Sequence, residues 1–198
     1  MSHCRALEVR RLPDKRLITD LCNLRAGDEC LLSGPVYTVR DATCKRLIAE
    51  LDEQGVLPYN LAGKMLFYAG PTPPRAHQII GSIGPTTARR MDRATARLMD
   101  AGIIATLGKG SRTEVIAAAC ERVGGIYFGA IGGIAALGAR HVIGTHTIAY
   151  EELGTESLTE LTLKDFPVFV ALDTLGDDWY KLAPARYLKL RDKRDESA

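Results

Sequence analysis

Closely spaced cysteines, long apolar runs and a strong net charge are all missing from this sequence. The cysteines are five in number and widely scattered: Cys4, Cys22, Cys30, Cys44 and Cys120. None forms a C-x-x-C pair, and their spacing alone builds neither a zinc nor an iron–sulfur site. We therefore expect no metal ligands on this chain and interpret the cysteines as reduced thiols of a cytoplasmic protein.

No apolar run reaches the length of a membrane span, and the first residues lack the apolar core of a signal peptide. The net charge is only +2 and the calculated pI is about 8.3, so composition does not favour nucleic acid as a partner. Membranes and nucleic acids are thus not expected partners, whereas small anions remain possible.

The chain's size and composition suit one globular domain. Its 198 residues are 46% hydrophobic and 25% charged, which allows a substantial core. We place the domain at 1–190 and a frayed polar tail at 191–198. Extended segments alternate with helical ones between residues 29 and 173, which predicts an α/β fold without fixing the strand order.

Apolar patterns and turn residues predict the individual elements. Strands are expected at 7–10, 29–33, 36–39, 65–69, 103–107, 141–150 and 166–173, and helices at 42–53, 86–101, 111–123 and 134–139, with a strand or helix from 179. Gly34-Pro35 is expected to break a strand. Asp41 and the capping box Ser111–Glu114 are expected to begin helices.

The stretch from Gly81 to Met91 is rich in turn, hydroxyl and guanidinium groups. Gly84-Pro85 is followed by two threonines and helix formers, which is typical of a capped helix start that attracts anions. Thr86 and Arg90 would share one helix face and could contact the same carboxylate. The alternative is a capped surface helix with solvated arginines.

Arg40 and Lys109 occupy comparable places, where extended chain passes into a helix. Lys109 lies between two glycines, which lets the backbone approach a ligand while the ammonium group contacts it, although the Walker A pattern is absent. Either residue could instead be an ordinary exposed cation. Because such junctions gather at one edge of an α/β sheet, the two residues and the Thr86/Arg90 pair could surround a small dicarboxylate.

Three other polar or glycine-rich groups are interpreted as structural features rather than functional sites. His141 and His146 would lie on opposite faces of a strand, which argues against a shared metal. The aspartates at 173, 177 and 178 fit a solvated turn better than a metal cluster. The glycines from Gly124 to Gly133 do not match a dinucleotide loop and indicate close backbone packing.

At these positions the chain resembles the C-terminal, or β-subunit, module of class I iron–sulfur fumarases and the related tartrate dehydratases. The stretches that carry the resemblance span almost the whole chain: Tyr37-Thr-Val-Arg-Asp-Ala42, Leu61-Ala-Gly-Lys64, Tyr68-Ala-Gly-Pro71, Gly84-Pro-Thr-Thr-Ala-Arg-Arg-Met91, Gly108-Lys-Gly110, Gly132-Gly133, Ala135-Ala-Leu137 and Asp165-Phe-Pro167.

The resemblance implies a single-domain fold of the swivelling β/β/α type and a hydro-lyase active only with a partner α subunit. That α subunit would carry a [4Fe–4S] cluster, in an αβ or higher hetero-oligomer. Arg40, Arg90 and Lys109 would bind the carboxylates of the substrate. Thr86 would be the catalytic residue for proton transfer, acting with a carboxylate from the partner, since a hydroxyl alone is a weak base.

Two departures from the family pattern bear on function. Cys44 stands where the family often has histidine, and the chain is too short to hold both modules of a fused fumarase. We expect a fumarate hydratase β subunit that interconverts fumarate and (S)-malate. The alternatives are the β subunit of L-tartrate dehydratase and a non-catalytic anion-binding assembly protein.

Overall fold

The computed structural model describes residues 5–8, as backbone only, and 21–195, with side chains as far as 192. The strands, in chain order, are β1 Arg5–Glu8, β2 Glu29–Thr38, β3 Met65–Phe67, β4 Ala105–Gly108, β5 Ile126–Gly129, β6 Val142–Ala149 and β7 Leu158–Leu172. The α-helices are α1 Asp41–Gln54, α2 Asp92–Asp100, α3 Glu114–Val123, α4 Ala135–Ala139 and α5 Trp179–Asp195. Short 3-10 helices lie at Pro58–Asn60, Ala88–Met91 and Glu151–Glu156.

Five of the strands form a closed ring. Strands β2, β3, β4 and β5 are parallel neighbours, and β7 runs antiparallel to both β5 and β2, which closes the circle. Strand β1 adds to β2 in parallel, and β6 adds to β7 in antiparallel orientation. This mixed α/β single domain, with a barrel-like sheet and surrounding helices, confirms the predicted fold class.

Alternate residues of the ring strands supply two separate cores, because successive side chains of a strand point to opposite faces. Phe67, on one face of β3, packs inside the ring, where Phe128 and Phe166 also lie. Leu66, on the other face, belongs to the core beneath the helices, together with Leu47 of α1. Strands β4 and β5 are buried throughout, as is typical of parallel strands that are covered on both sides.

The ring positions the loops that matter for function. In a parallel sheet the carboxyl ends of all strands lie at one edge, and ligands commonly bind there. Strand β2 ends just before Arg40, β3 just before Tyr68, and β4 just before Lys109. The loop after β5 contains Gly132 and Gly133. Residues far apart in sequence therefore meet at one rim.

The predicted break at Gly34-Pro35 is wrong, since β2 continues through both residues. A register shift between Leu32 and Gly34 takes up the irregularity opposite β7. Pro35 pairs with Thr162 of β7 on one edge of β2. On the other edge β1 pairs with 30–33 and β3 with 37–38, so among the described residues no strand pairs with Pro35 there. A proline without a backbone N–H is tolerated there. Strand β7 is also longer than the predicted 166–173, because it begins at Leu158.

The predicted helix 86–101 is divided in the structure. Ala88–Met91 is a 3-10 helix, and α2 begins only at Asp92. The backbone N–H of Thr86 donates to the Tyr68 carbonyl (2.7 Å), and that of Ala88 donates to the Lys109 carbonyl (3.1 Å). These N–H groups therefore donate to backbone carbonyls at the ends of β3 and β4, and the expected anion-attracting helix start is not formed.

Both predicted helix caps are replaced by acceptors from elsewhere in the chain. The residue that precedes α1 is Arg40, not Asp41, and the N–H of Ala42 donates to Glu156 Oε2 (2.7 Å). Helix α3 is preceded by Thr113, with no Ser111 cap. The Thr113 N–H donates instead to Asp92 Oδ2 (2.7 Å). Carboxylates from distant segments therefore accept hydrogen bonds at the start of both helices.

The remaining expectations have mixed outcomes. Asp173 accepts hydrogen bonds from the N–H groups of Ala26, Leu175 and Asp177, so the predicted turn is formed. Asp173 is 0% exposed, however, so the expectation that this turn is solvated is wrong at that residue. The last element is helix α5, which runs to Asp195, so the predicted tail begins within that helix. The strand expected at 7–10 overlaps β1 at 7–8, and positions 9 and 10 lie outside the described residues. Among the described residues, no helix is long and apolar enough to cross a membrane.

Candidate active site

A cleft of about 310 Å³ lies at the rim where β2, β3 and β4 end. It is lined by three of the four predicted site residues, Arg40, Thr86 and Lys109, together with other rim residues: Gly70, Thr72, Ser82, Gly84, Pro85, Gly133 and Ala135. The structure thus brings together three side chains that are dispersed over the sequence. Two of them are cations, and Thr86 adds a hydroxyl.

Thr86 and Lys109 are neighbours through their backbones. The Lys109 N–H donates to the Thr86 carbonyl (3.1 Å), and Thr87 and Lys109 form a parallel bridge. The Lys109 side chain runs beside Gly132, where an added Cβ would lie 3.3 Å from its Cδ and 3.5 Å from its Nζ. A larger residue at 132 would crowd the ammonium group, which has no ion-pair partner among the described side chains.

Arg40 is held in a slot between two loops. An added Cβ on Gly70 would lie 2.8 Å from Cδ and Nη1 of Arg40, so only glycine leaves room for this guanidinium. Arg40 Nη2 pairs with Glu156 Oε1 at 3.5 Å. Its Nε is buried and has no hydrogen-bond partner in the described chain. A buried donor without an acceptor is uncommon, and a guanidinium with unused capacity is suited to an anionic ligand.

Arg90 lies beside the cleft rather than in its lining. Its Nη2 donates to Thr86 Oγ1 (3.0 Å), as the shared-face prediction required, and also pairs with Asp41 Oδ2 (3.2 Å). Arg90, Asp41 and Cys44 line an adjoining groove of about 490 Å³ between α1 and α2. The guanidinium therefore links the groove to the cleft through the Thr86 hydroxyl.

Cys44, where the resemblance led us to expect histidine, lies buried in α1 at the edge of this groove. Burial raises the pKa of its thiol to about 12, and the nearby Asp41 carboxylate adds to the effect. The thiol is therefore protonated at neutral pH and cannot replace a titrating imidazole.

The loop that carries Lys109 is anchored by a buried ion pair. Arg112 Nε donates to Asp92 Oδ1 (2.6 Å), and its guanidinium lies over the rings of Tyr68 (5.2 Å) and Tyr127 (4.7 Å). Tyr127 also donates its hydroxyl hydrogen to the Gly110 carbonyl (2.9 Å). These contacts fix the chain on the far side of Lys109 and so define where the ammonium group can reach.

The site's supporting residues were not predicted from sequence. Glu156 lies in Tyr150–Ser157, a stretch without a recognisable motif, and its partner Arg40 is more than one hundred residues away. Asp92 and Arg112 resemble ordinary charged residues of a helix start and a loop. The one available signal was that Arg112 lies two residues after the Gly-Lys-Gly turn, in a loop whose conformation must be held.

The described side chains contain no group of three or more His, Cys, Asp or Glu residues that could hold a metal ion. Of the described cysteines, three are buried singly and Cys22 is exposed. The ligand set of an iron–sulfur cluster is therefore not met by this part of the chain.

Comparison with known proteins gives this site a family. The profile of the family described as "Fumarase C-terminus" matches residues 3–183, nearly the whole chain. The chain belongs to this family. The assignment confirms the resemblance that the Gly-Pro-Thr-Thr and Gly-Lys-Gly stretches indicated.

Proteins similar to this chain include class I fumarate hydratases and tartrate dehydratase β subunits. The anaerobic class I fumarate hydratase of Escherichia coli (strain K12) is 34% identical over 171 residues, which cover 85% of this chain but 31% of that protein. Fumarate hydratase 2 of Leishmania major is 34% identical over 176 residues, 88% of this chain and 31% of that protein. The L(+)-tartrate dehydratase subunit beta of E. coli is 32% identical over 164 residues, 80% of each chain. The chain thus spans less than a third of the length of the fumarate hydratases it matches.

Proposed function

We propose that this chain is the β subunit of a two-subunit iron–sulfur hydro-lyase that interconverts fumarate and (S)-malate. The observation that carries the proposal is the convergence of Arg40, Thr86 and Lys109 on one cleft, with the Arg90 guanidinium on the Thr86 hydroxyl. Family membership and similarity to class I fumarate hydratases support the reaction class.

The cations of the cleft account for substrate binding. Arg40 and Lys109 present a guanidinium and an ammonium group to one small space, which suits two carboxylates at a short separation. Arg90, which already contacts Thr86, is placed to hold a carboxylate close to that hydroxyl. The small size of the cleft favours a short dicarboxylate over a larger anion.

Thr86 is the residue proposed for proton transfer. Dehydration of malate removes a proton from one carbon and hydroxide from its neighbour, and hydration reverses both changes. The Arg90 N–H that Thr86 Oγ1 accepts would stabilise negative charge that develops on this oxygen. A hydroxyl remains a weak base even so, and the Asp41 carboxylate beside this pair is engaged by Arg90. We therefore propose that a carboxylate of the partner assists Thr86.

A partner α subunit completes the proposed enzyme. The L(+)-tartrate dehydratase subunit beta of E. coli matches this chain over 80% of its own length, which supports a separate β subunit with an α partner. The described residues offer no ligand set for a cluster, and we accordingly place the [4Fe–4S] cluster on the α subunit. Both the partner and the cluster's position are part of the proposal.

A tartrate dehydratase β subunit is the second candidate. The observation in its favour is that the E. coli tartrate dehydratase subunit beta matches this chain over 80% of its own length. The same cations would bind L-tartrate, a substrate with one more hydroxyl. A third candidate is a non-catalytic anion-binding assembly protein. It predicts that the chain copurifies with no cysteine-bearing α subunit.

The experiment that separates these candidates is an assay of the reconstituted two-subunit protein on (S)-malate, fumarate and L-tartrate. We expect turnover of malate and fumarate. Turnover of tartrate without malate would transfer the proposal to the tartrate enzyme, and an anion-binding complex that turns over none of the three substrates would favour the assembly protein.

The site assignment has its own test in a pair of adjacent arginines. Arg90→Ala removes the donor to Thr86 and a charge beside the cleft. Arg89→Ala removes an exposed guanidinium that lies outside both the cleft and the adjoining groove. We expect Arg90→Ala to lower kcat/KM about 30- to 1,000-fold, the effect of losing a charge-assisted contact at the transition state. Circular dichroism and thermal melting would verify folding. Near-normal activity of Arg90→Ala, or an equal loss in Arg89→Ala, would contradict the assignment.

A further inference from the structure

Glu156 lies at the end of the 3-10 segment between β6 and β7 and contacts the start of α1 in three ways. Its Oε2 accepts the N–H of Ala42 (2.7 Å), its backbone carbonyl accepts the Thr43 hydroxyl, and its Oε1 pairs with Nη2 of Arg40 (3.5 Å). One residue of a distant loop thus holds the junction at which β2 passes into α1.

The junction needs such a carboxylate for electrostatic reasons. Arg40 precedes α1 and has no side-chain oxygen with which to cap the helix. A cation at a helix N-terminus is also opposed by the positive end of the helix dipole. Glu156 supplies the missing acceptor and places a negative charge between the dipole and the guanidinium.

The same contact restricts where the Arg40 guanidinium can lie. On one side, the slot beside Gly70 admits Cδ and Nη1 because glycine has no Cβ. On another side, Glu156 holds Nη2, while Nε stays without a partner in the described chain. Slot and carboxylate together keep the guanidinium at the cleft, although the side chain is long and has many rotamers of its own.

We propose that Glu156 is a positioning residue for substrate binding, which acts by holding the Arg40 guanidinium in the cleft. The inference rests on the proposed function, because Arg40 is there assigned to a substrate carboxylate. The Arg40 and Glu156 side chains are 28% and 23% exposed, and a pair so accessible to water adds little to folding stability. Its effect is therefore expected in binding.

The test compares Glu156→Gln with Glu152→Gln in the reconstituted αβ enzyme. The first change keeps an oxygen for the Ala42 N–H but removes the charge opposite Arg40. The second removes the same charge from the same loop, where Glu152 pairs with Arg46, a residue outside the cleft. We expect KM for the dicarboxylate to rise about 10-fold in Glu156→Gln, with kcat within about 2-fold and an unchanged Tm, as for loss of binding common to substrate and transition state. Glu152→Gln should match the wild type.

The change is then repeated in an Arg40→Ala background. If Glu156 acts through Arg40, Glu156→Gln should produce no further rise in KM there, since interacting residues are not additive. An unchanged KM in Glu156→Gln, a loss of Tm that accompanies the kinetic change, or an equal rise in KM without Arg40 would each overturn the inference.

A structural readout separates this inference from the proposed function. Crystal structures of the full chain as wild type, Glu152→Gln and Glu156→Gln show the Arg40 side chain directly. We expect it beside Gly70 in the first two and displaced in the third. An enzyme inactive on all three substrates would refute the proposed function, but a displaced Arg40 would still support the positioning role. An undisplaced Arg40 in Glu156→Gln would refute that role.

Discussion

Loss of the Asp92 carboxylate should destabilise the fold far more than loss of any exposed aspartate. Asp92 is the first residue of α2, and its Oδ1 accepts from Arg112 Nε (2.6 Å). Its Oδ2 accepts from both the N–H and the hydroxyl of Thr113 (2.7 Å each). The Arg112 side chain is 0% exposed and that of Asp92 7%, so Asp92→Ala leaves a buried guanidinium without its counter-charge.

The expected cost follows from that burial. Removing one partner of a buried ion pair costs about 3–5 kcal/mol, because the remaining charge stays out of water. A domain's total stability is about 5–15 kcal/mol, so the variant would lose a large fraction of it. For a chain of this size each kcal/mol corresponds to roughly 2–4 °C, which predicts a fall in Tm of about 6–20 °C. Urea unfolding followed by circular dichroism measures the free energy directly.

Asp100, the last residue of the same helix, provides the matched control. It pairs with Arg122, but the two side chains are 52% and 53% exposed. Exposed pairs contribute about 0–1 kcal/mol, and Asp100→Ala should cost no more than that. Adding Arg112→Met to Asp92→Ala removes the uncompensated charge and should recover part of the loss. A difference below about 1 kcal/mol between Asp92→Ala and Asp100→Ala would refute the reasoning.

Two further predictions concern the cores. Burial raises the pKa of the Cys44 and Cys120 thiols from 9.0 to about 12, so the folded state keeps protons that the unfolded chain releases. Their contribution to stability is complete below pH 9 and is lost as pH rises towards 12, by about 1.4 kcal/mol per pH unit for each thiol. The free energy of unfolding, measured with urea between pH 9 and about 10.5, should therefore fall less steeply with pH when Cys44 and Cys120 are both changed to Ala. Equal slopes in this variant and the wild type would contradict the raised pKa values. An added Cβ at Gly129 would overlap the Phe169 ring, so Gly129→Ala should cost about 1–3 kcal/mol in thermal melting. Gly144→Ala is the control, because an added Cβ there would lie 3.4 Å from its nearest neighbour, Thr162 Oγ1. An equal fall in stability in the two variants would refute the steric argument.

Local patterns in the sequence predicted those features that depend on local chemistry. Helix α1 was placed within a residue or two of its ends, because its apolar stripe lies within its own sequence. The closeness of Thr86 and Arg90 was expected from a shared helix face, but the structure reaches it without that helix, because Thr86 precedes the 3-10 helix Ala88–Met91. Arg40 and Lys109 were placed beside this pair because strand-to-helix junctions gather at one sheet edge, and the resemblance to fumarases then implied that they bind carboxylates.

Features that depend on distant segments could not be predicted in this way. The Gly34-Pro35 pair was predicted to break a strand. Whether a strand tolerates proline depends on which strands flank it, and the local sequence does not show this. The caps of α1 and α3 come from Glu156 and Asp92, which no local pattern connects to those helices. Closure of the ring by β7 likewise requires knowledge of strand order, which alternation of strands and helices leaves open.

The closure of the ring by β2 and β7 also has a consequence for the order of folding. Tyr37 and Glu160, which are hydrogen-bonded across this pairing, lie 123 residues apart in sequence. Contacts of such long range form slowly, because a large loop must be closed before they contribute. During synthesis β2 can pair with β7 only after β7 has left the ribosome. Glu156 emerges just before β7, so Arg40 gains its carboxylate partner late in synthesis, and a chain that ends before Glu156 would lack this ion pair.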